Sequence, residues 1–139
     1  MKTYRIFISH SWTYADAYEK LVNLLDKHST FHYIDYSIPK DDPVHTSGTD
    51  KELYEAILNK MGPCNVVLIM AGVYATYSKW INKEIQAAKE GFSSSKPLIG
   101  IKPWAQTNVS SVVSDNADIL VGWNKDSIID AIKDLTDED

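Results

Sequence analysis

The feature that most restricts the fold is a nearly continuous apolar segment at residues 64–71. It lies between two turn signals, Gly62-Pro63 and Gly72. The segment is far too short to cross a membrane, for which about 20 apolar residues are needed. A short apolar run without alternation is typical of a central parallel strand whose two faces are both covered. We therefore expect a layered α/β domain with this segment at the centre of its sheet.

Further strands and helices alternate along the chain. Segments rich in β-branched and aromatic residues predict strands over 4–9, 31–36, 97–101 and 118–121. Amphipathic segments predict helices over 14–27, 51–61 with Asp50 as N-cap, 77–91 and 127–135, with a helical turn near 109–113. This alternation predicts right-handed crossovers and a parallel sheet with helices on both faces. We expect a three-layer α/β fold with a five-stranded parallel sheet in the order 2-1-3-4-5.

Composition restricts the domain count and the partners. A chain of 139 residues that is 44% hydrophobic is long enough for one core, so we expect a single domain over 1–139. The net charge of −5, without a run of Lys and Arg, argues against binding to nucleic acid. Neither a leader segment nor a long apolar run is evident, so we expect a cytoplasmic protein that does not bind membranes. The single cysteine, Cys64, is interpreted as a small buried residue at a strand start.

The helix predicted over 77–91 carries an acidic residue, Glu84, inside its apolar face. At about 100° per residue, Glu84 stands one turn beyond Trp80 and next to Ile81. An unpaired buried carboxylate costs several kcal/mol, which is comparable with most of the net stability of a small domain. Glu84 is therefore either a structural carboxylate held by a partner or a group used in chemistry.

Polar loops are expected to meet near this helix. In parallel α/β sheets, ligands bind beyond the carboxyl ends of the strands, where the strand order reverses. For the predicted order that point lies between the first and third strands, at the loops 9–12, 35–37 and 70–74. A lone histidine at a strand end is more often a hydrogen-bonded loop residue than a ligand-binding one, and most tryptophans in a domain of this size belong to the core. The candidate residues around Glu84 are Ser9, His10, Ser11, Asp35, Ser37, Tyr77 and Trp80.

The sequence motifs that several common types of active site require are absent from this chain. There is no glycine-rich phosphate loop, nucleophile elbow or close pair of Cys and His ligands, so we expect neither a metal nor a bound cofactor. A phosphorelay receiver would need acidic residues after the first strand and Asp after the third, where this chain has Ser9-His10 and Met70-Ala71. What remains is one carboxylate in an aromatic, hydroxyl-bearing pocket. That pocket suits cleavage of a glycosidic bond with a good leaving group, because a negative charge stabilises the oxocarbenium-like transition state.

Segments along most of the chain resemble TIR domains. Tyr-Arg-Ile-Phe-Ile-Ser-His-Ser at 4–11 resembles their opening strand, and residues 77–85 resemble their Ser-x-Trp-Cys-x-x-Glu-Leu segment, with Ile81 in place of the usual Cys. The resemblance is closer to the TIR-like subfamily that includes the small TIR subunit of Thoeris anti-phage defence. The segments compared with that subfamily are Phe-Ile-Ser-His-Ser-Trp at 7–12, Pro-Lys-Asp-Asp-Pro at 39–43, Lys-Glu-Ile at 83–85, Lys-Pro-Trp at 102–104 and Val-Gly-Trp-Asn at 121–124.

This resemblance implies a flavodoxin-like fold and an NAD glycohydrolase or ADP-ribosyl cyclase that uses NAD as its substrate. Glu84 occupies the position of the catalytic glutamate, and the other candidate residues would bind the substrate. In Thoeris members the resemblance implies a cyclic ADP-ribose product that signals to a separate effector protein. We also expect self-association, because an open pocket must keep water from the reactive intermediate. The alternative is a non-catalytic TIR-like interaction module, in which Glu84 ties its helix to the first-strand loop.

Overall fold

Five parallel strands form one sheet at the centre of the protein. A computed structural model describes residues 3–9, 17–27, 30–36, 49–71, 79–102 and 109–136. The strands are β1 (Thr3–Ile8), β2 (His32–Asp35), β3 (Val66–Met70), β4 (Leu98–Ile101) and β5 (Ile119–Val121). Their order is β2-β1-β3-β4-β5, and every neighbouring pair is parallel. The predicted α/β flavodoxin-like fold and its strand order are confirmed.

Helices cover both faces of this sheet. They are α1 (Ala17–Asp26), α2 (Asp50–Met61), α3 (Lys79–Glu90), α4 (Ser111–Asn116) and α5 (Lys125–Thr136). The buried residues of α1 and α5 form one apolar cluster with one face of the sheet, and those of α2, α3 and α4 form a second cluster with the other. We call these the α1/α5 face and the α2/α3/α4 face. Among the described residues, no helix has the length and apolar character needed to span a membrane.

The apolar segment that dominates the sequence forms the central strand. All five residues of β3 are buried, as expected for a strand that is covered on both sides. Leu68 and Met70 belong to the α1/α5 face, whereas Val67 and Ile69 belong to the α2/α3/α4 face. Ala71, the residue after the strand, continues this alternation on the α2/α3/α4 face. The alternation along β3 therefore identifies the sheet face toward which each of its side chains points.

The start of α2 differs from the prediction. Asp50 was expected to cap this helix, but the N-cap is Thr49. Its Oγ1 accepts a hydrogen bond from the Glu52 N–H at 3.1 Å, and its own N–H donates to Glu52 Oε1 at 2.8 Å. The reciprocal bonds satisfy two backbone donors at once, which a single Asp cap would not achieve. The hydrogen bonds from the Thr49 backbone and side chain lower the pKa of Glu52.

The helix α4 is longer than the predicted turn at 109–113 and packs closely on the sheet because of a glycine in β4. A Cβ placed on Gly100 would lie 2.7 Å from Leu120 Cδ1 and 3.0 Å from Val113 Cγ1, closer than ordinary van der Waals contact. The segment after α4 is also held, since Asp118 Oδ2 accepts a hydrogen bond from the Leu98 N–H at 2.8 Å. Gly100 thus leaves room for the side chains of Val113 and Leu120 on the α2/α3/α4 face.

Candidate functional site

Glu84 lies on the side of α3 that packs against the sheet and is 0% exposed. Its neighbours on that side, Ile81, Ile85 and Ala88, belong to the apolar cluster of the α2/α3/α4 face. The burial predicted from the helical periodicity is therefore confirmed. Oε1 of Glu84 is buried and accepts no hydrogen bond. The residue as a whole does have an interaction partner in the protein.

The direction of α3 places this carboxylate near the carboxyl ends of the strands. The helix connects two parallel neighbours, β3 and β4, and so runs antiparallel to both. Side chains on an α-helix lean toward its amino terminus, which here is the end next to the carboxyl end of β3. Glu84 therefore leans toward the sheet edge where ligands bind in this fold class.

Ser9 lies at the same edge and on the same face. Its N–H donates to the Leu68 carbonyl at 3.1 Å, so the pairing of β1 with β3 continues one residue beyond Ile8. Because Phe7 belongs to the α2/α3/α4 face, alternation directs the Ser9 side chain to that face as well. Ser9 is 0% exposed and is not without a partner. The structure thus brings two of the predicted residues, Ser9 and Glu84, to one end of one sheet face.

A third buried polar residue, Ser110, was not among the residues predicted from the sequence. It is 1% exposed, and its N–H donates to the Ala71 carbonyl at 3.0 Å, just beyond the end of β3. Together with Ser9 and Glu84, it makes up the set of buried polar or charged residues in the described part of the chain. A serine before a helical turn suggests only an N-cap. The sequence feature that could have indicated the burial of Ser110 is its position between apolar Val109 and the Val112-Val113 pair.

Asp35 lies apart from this group. It pairs with Ile6 of β1, three positions before Ser9, which corresponds to about 10 Å along the strand. Tyr33 packs on the α1/α5 face, so alternation places Asp35 on that face, opposite to Ser9 and Glu84. The structure does not bring Asp35 together with Ser9 and Glu84, and its role in substrate binding stays a prediction.

The remaining predicted residues lie outside what the structure describes. His10, Ser11, Ser37 and Tyr77 belong to segments beyond the described ranges, and Trp80 is described only as a backbone position near the start of α3. Their roles in substrate binding stay predictions. Within the described ranges, no group of three or more His, Cys, Asp or Glu side chains is arranged to hold a metal ion.

Cys64 takes no part in this site. It precedes β3 and therefore lies at the amino end of the sheet, opposite to the edge with Ser9 and Ser110. Its Sγ donates to the Lys60 carbonyl at 3.4 Å, and burial raises the pKa of the thiol to about 12, against the smaller opposing effects of nearby Lys96 and Arg5. A thiol with that pKa is protonated at neutral pH and is a poor nucleophile. The prediction that Cys64 is a small buried residue is confirmed.

The described site offers one acidic side chain and two hydroxyl groups at the ligand-binding edge of an apolar sheet face. A carboxylate held by packed helices is preorganised, and in apolar surroundings its field is only weakly screened. Such a group can stabilise positive charge that develops on a bound sugar, or can orient sugar hydroxyl groups. The described part of the site contains one acid rather than the acid pair of most glycosidases, which suits substrates whose leaving group needs no protonation.

The order and direction of the strands, with helices on both faces, define a flavodoxin-like α/β domain. A family model described as Thoeris protein ThsB, TIR-like domain, matches residues 7–108 of the chain. The chain therefore belongs to this TIR-like family, which is a defence-related family. The matched region contains Ser9 and Glu84 and ends shortly before Ser110. A search of curated proteins found no match to the chain.

Proposed function

We propose that this protein cleaves NAD at the bond between ribose and nicotinamide, with Glu84 as the catalytic carboxylate. The observation that carries the proposal is the complete burial of Glu84 in the helix that follows the central strand, at the edge where α/β sheets bind ligands. Membership of the TIR-like family supports a defence role and is compatible with chemistry on NAD. NAD as the substrate and cleavage of its bond to nicotinamide are proposals that go beyond this family membership.

The reaction matches a site with a single carboxylate. In NAD the nicotinamide is a pyridinium cation, so when its bond to the ribose breaks, the electron pair moves to the ring nitrogen and a neutral molecule leaves. The leaving group needs no proton, which removes the need for a second carboxylic acid. The ribose is left with oxocarbenium character, and the Glu84 carboxylate stabilises that positive charge or orients the ribose hydroxyl groups.

The product depends on which nucleophile then adds to the ribose and loses a proton. Water gives linear ADP-ribose, whereas a hydroxyl group or adenine nitrogen of the same molecule gives a ring. Holding such a group near the reacting carbon is worth about 7–11 kcal/mol of barrier. Tyr36 packs against the α2/α3/α4 face just after β2, and we propose that it helps to fold the adenosine part toward that carbon. We propose a cyclic ADP-ribose that acts as a diffusible signal to a separate effector protein.

The burial of Glu84 also sets a condition on turnover. A carboxylate that is 0% exposed has no surface available to a substrate, so a rearrangement must uncover it before NAD binds. Activity is therefore expected to be conditional rather than constant. Self-association is the proposed trigger, since a second subunit covering the sheet edge would both change the surroundings of Glu84 and exclude water.

One observation favours a second candidate function. Ser9 and Glu84 are both fully buried, and each has an interaction partner in the protein. In a non-catalytic interaction module of the TIR-like class, Glu84 would serve only to tie α3 to the end of β1. That function predicts that the loss of the carboxylate lowers the stability of the fold.

The deciding experiment is incubation of concentrated purified protein with NAD, followed by chromatographic measurement of free nicotinamide. Release of nicotinamide that disappears in Glu84→Gln would support the enzyme. An absence of release at all protein concentrations, together with a clear loss of stability in Glu84→Gln, would favour the interaction module. Glu90→Gln, an exposed acid on the same helix, is the matched control and should behave as the wild type.

A further inference from the structure

Large apolar side chains are exposed at both edges of the sheet. In the described part of the chain, the exposed large apolar residues are Ile34 of β2, at 49%, and Ile119 of β5, at 37%. Strands β2 and β5 are the two edge strands. Edge strands usually carry charged side chains that keep other chains away. An exposed isoleucine at each edge makes both edges candidate surfaces for contact with another chain.

Ile34 lies next to a basic side chain. The register pairs it with Arg5 of β1, so the two side chains lie on one sheet face. Phe7 belongs to the α2/α3/α4 face, and alternation puts Arg5 and Ile34 on that face as well. Arg5 is exposed, and its Nε donates to the Pro63 carbonyl at 2.6 Å, which holds the guanidinium group beside the turn after α2. Asp35, the residue after Ile34, lies on the opposite face of the sheet.

A second basic side chain, Lys60, lies on the same flank of α2. A Cβ placed on Gly91, just after α3, would lie 2.5 Å from Leu58 Cδ2, so Leu58 faces α3. Lys60 follows Leu58 by two residues, which at about 100° per residue puts it on the flank away from α3, toward β2. Lys60 is exposed. Burial raises the pKa of the Cys64 thiol, and nearby Arg5 and Lys60 both oppose that effect, so their charges lie around one residue. We call Ile34, Arg5 and Lys60 the Ile34 patch.

Ile119 lies among acidic side chains. Asp118 precedes it, with a side chain that is 41% exposed and an Oδ2 atom that accepts a hydrogen bond from the Leu98 N–H at 2.8 Å. Asp115, also exposed, lies in the last turn of α4. Lys89 Nζ lies 3.6 Å from Asp118 Oδ2 and offsets one of these two charges, so the surface keeps its negative sign through Asp115. We call Ile119, Asp118 and Asp115 the Ile119 patch.

The charges of the two patches decide which surfaces pair. Contact between two Ile34 patches, or between two Ile119 patches, would bring like charges together. Contact between an Ile34 patch and an Ile119 patch surrounds two apolar side chains with opposite charges, which steers and orients the encounter. Contact between different surfaces on identical chains is heterologous, and it continues from copy to copy unless the rotation closes a ring.

We propose that copies of this protein associate head to tail, with the Ile34 patch of one copy against the Ile119 patch of the next. The patches lie at opposite edges of the sheet, so each added copy presents a patch for another. The proposal names the surfaces of the self-association suggested above. Its effect on NAD cleavage rests on the proposed function, whereas the contact itself does not and is measured without NAD.

The first test is sedimentation velocity over a range of protein concentrations. The variants are Ile34→Thr and Ile119→Thr, since threonine keeps a branched side chain that suits a strand. Each variant lacks one of the two patches, so each should stay a single copy where the wild type associates. An equal mixture combines the intact Ile119 patch of the first variant with the intact Ile34 patch of the second, and should give pairs but nothing larger.

Three outcomes of this test would overturn the proposal. They are a wild type that stays a single copy at the highest concentration, a variant that associates alone as the wild type does, and a mixture without pairs. Thermal unfolding of each variant establishes that it is folded before it is compared with the wild type.

The second test exchanges charges between exposed positions. Lys60→Glu and Asp115→Lys should each weaken association about tenfold or more, because each places like charges across the contact. The two changes in one chain restore opposite charges and should recover most of the loss. Failure of the double variant to recover would contradict the pairing of the two patches. Glu19→Lys, an exposed acid at the start of α1, is the control and should associate as the wild type does.

The contact and the proposed function fail separately. An associated wild type that released no nicotinamide would contradict NAD cleavage and leave the contact standing. Nicotinamide release by a protein that sediments as a single copy would contradict the contact and leave the catalytic role of Glu84 standing.

Discussion

The N–H of Ser9 donates to the carbonyl of Leu68 at 3.1 Å, so β1 and β3 stay paired beyond the last residue of β1. This bond keeps Ser9 in strand geometry and directs its side chain to the face on which α3 packs Glu84. A loop residue that follows a strand is commonly free to turn away. Here it is held level with the central strand, so Ser9 continues the sheet rather than beginning a loop.

Replacing Glu84 by Gln is expected to lower nicotinamide release by on the order of 100-fold or more, because the transition state loses the charge that stabilises it. The fold should stay intact or become slightly more stable, since the change removes a buried charge and keeps the volume. Both effects are measured on one preparation, by chromatography and by thermal unfolding. Retained turnover would remove Glu84 from catalysis, and a drop of several degrees in Tm would favour a structural ion pair.

Turnover per molecule is expected to rise with protein concentration if self-association uncovers and then encloses the site. The measurement is the rate of nicotinamide release over a wide range of protein concentrations, with the association state followed by sedimentation on the same samples. The increase should follow the appearance of the associated species. A rate strictly proportional to enzyme down to dilute solution would show that a single subunit is sufficient.

The product of activated enzyme is expected to be cyclic. Mass spectrometry separates the two outcomes, because the ring is lighter than linear ADP-ribose by one water. Samples are taken at the earliest times, before a ring could reopen. If linear ADP-ribose is then the sole product, the signalling proposal loses its chemistry and simple consumption of NAD becomes the better account.

Replacing Gly100 by Ala is expected to destabilise the protein by about 1–3 kcal/mol, the usual cost of inserting a methyl group into a packed core. The added Cβ would meet Leu120 Cδ1 at 2.7 Å and Val113 Cγ1 at 3.0 Å. Gly122→Ala is the matched control, because a Cβ there meets nothing within 4 Å, and its urea midpoint should stay close to that of the wild type. Equal midpoints for the two variants would show that Leu120 and Val113 can move aside for a methyl group, which would contradict the prediction.

Much of this protein is determined by local sequence patterns. The apolar run at 64–71 predicted a central strand, because a strand covered on both faces has a composition that other strands lack. The alternation of strands and helices predicted a parallel sheet, for which 2-1-3-4-5 is the commonest order. The burial of Glu84 followed in the same way, since the 3.6-residue period alone decides which side chains share a helix face. The central strand and the buried face of α3 depend on neighbours within one segment, which is why the sequence alone predicts them.

Other features depend on how segments slide and pack against one another, and only the tertiary structure decided them. The register of β2 against β1 places Asp35 beside Ile6 and on the opposite face from Ser9, although its sequence position suggested a shared site. The packing of α4 on the sheet brings the Ser110 N–H to the Ala71 carbonyl, although the two residues are distant in the chain. A shift of one residue in register would reverse the face of every side chain, and no local pattern in β2 specifies that shift, because its edge position leaves it only partly buried.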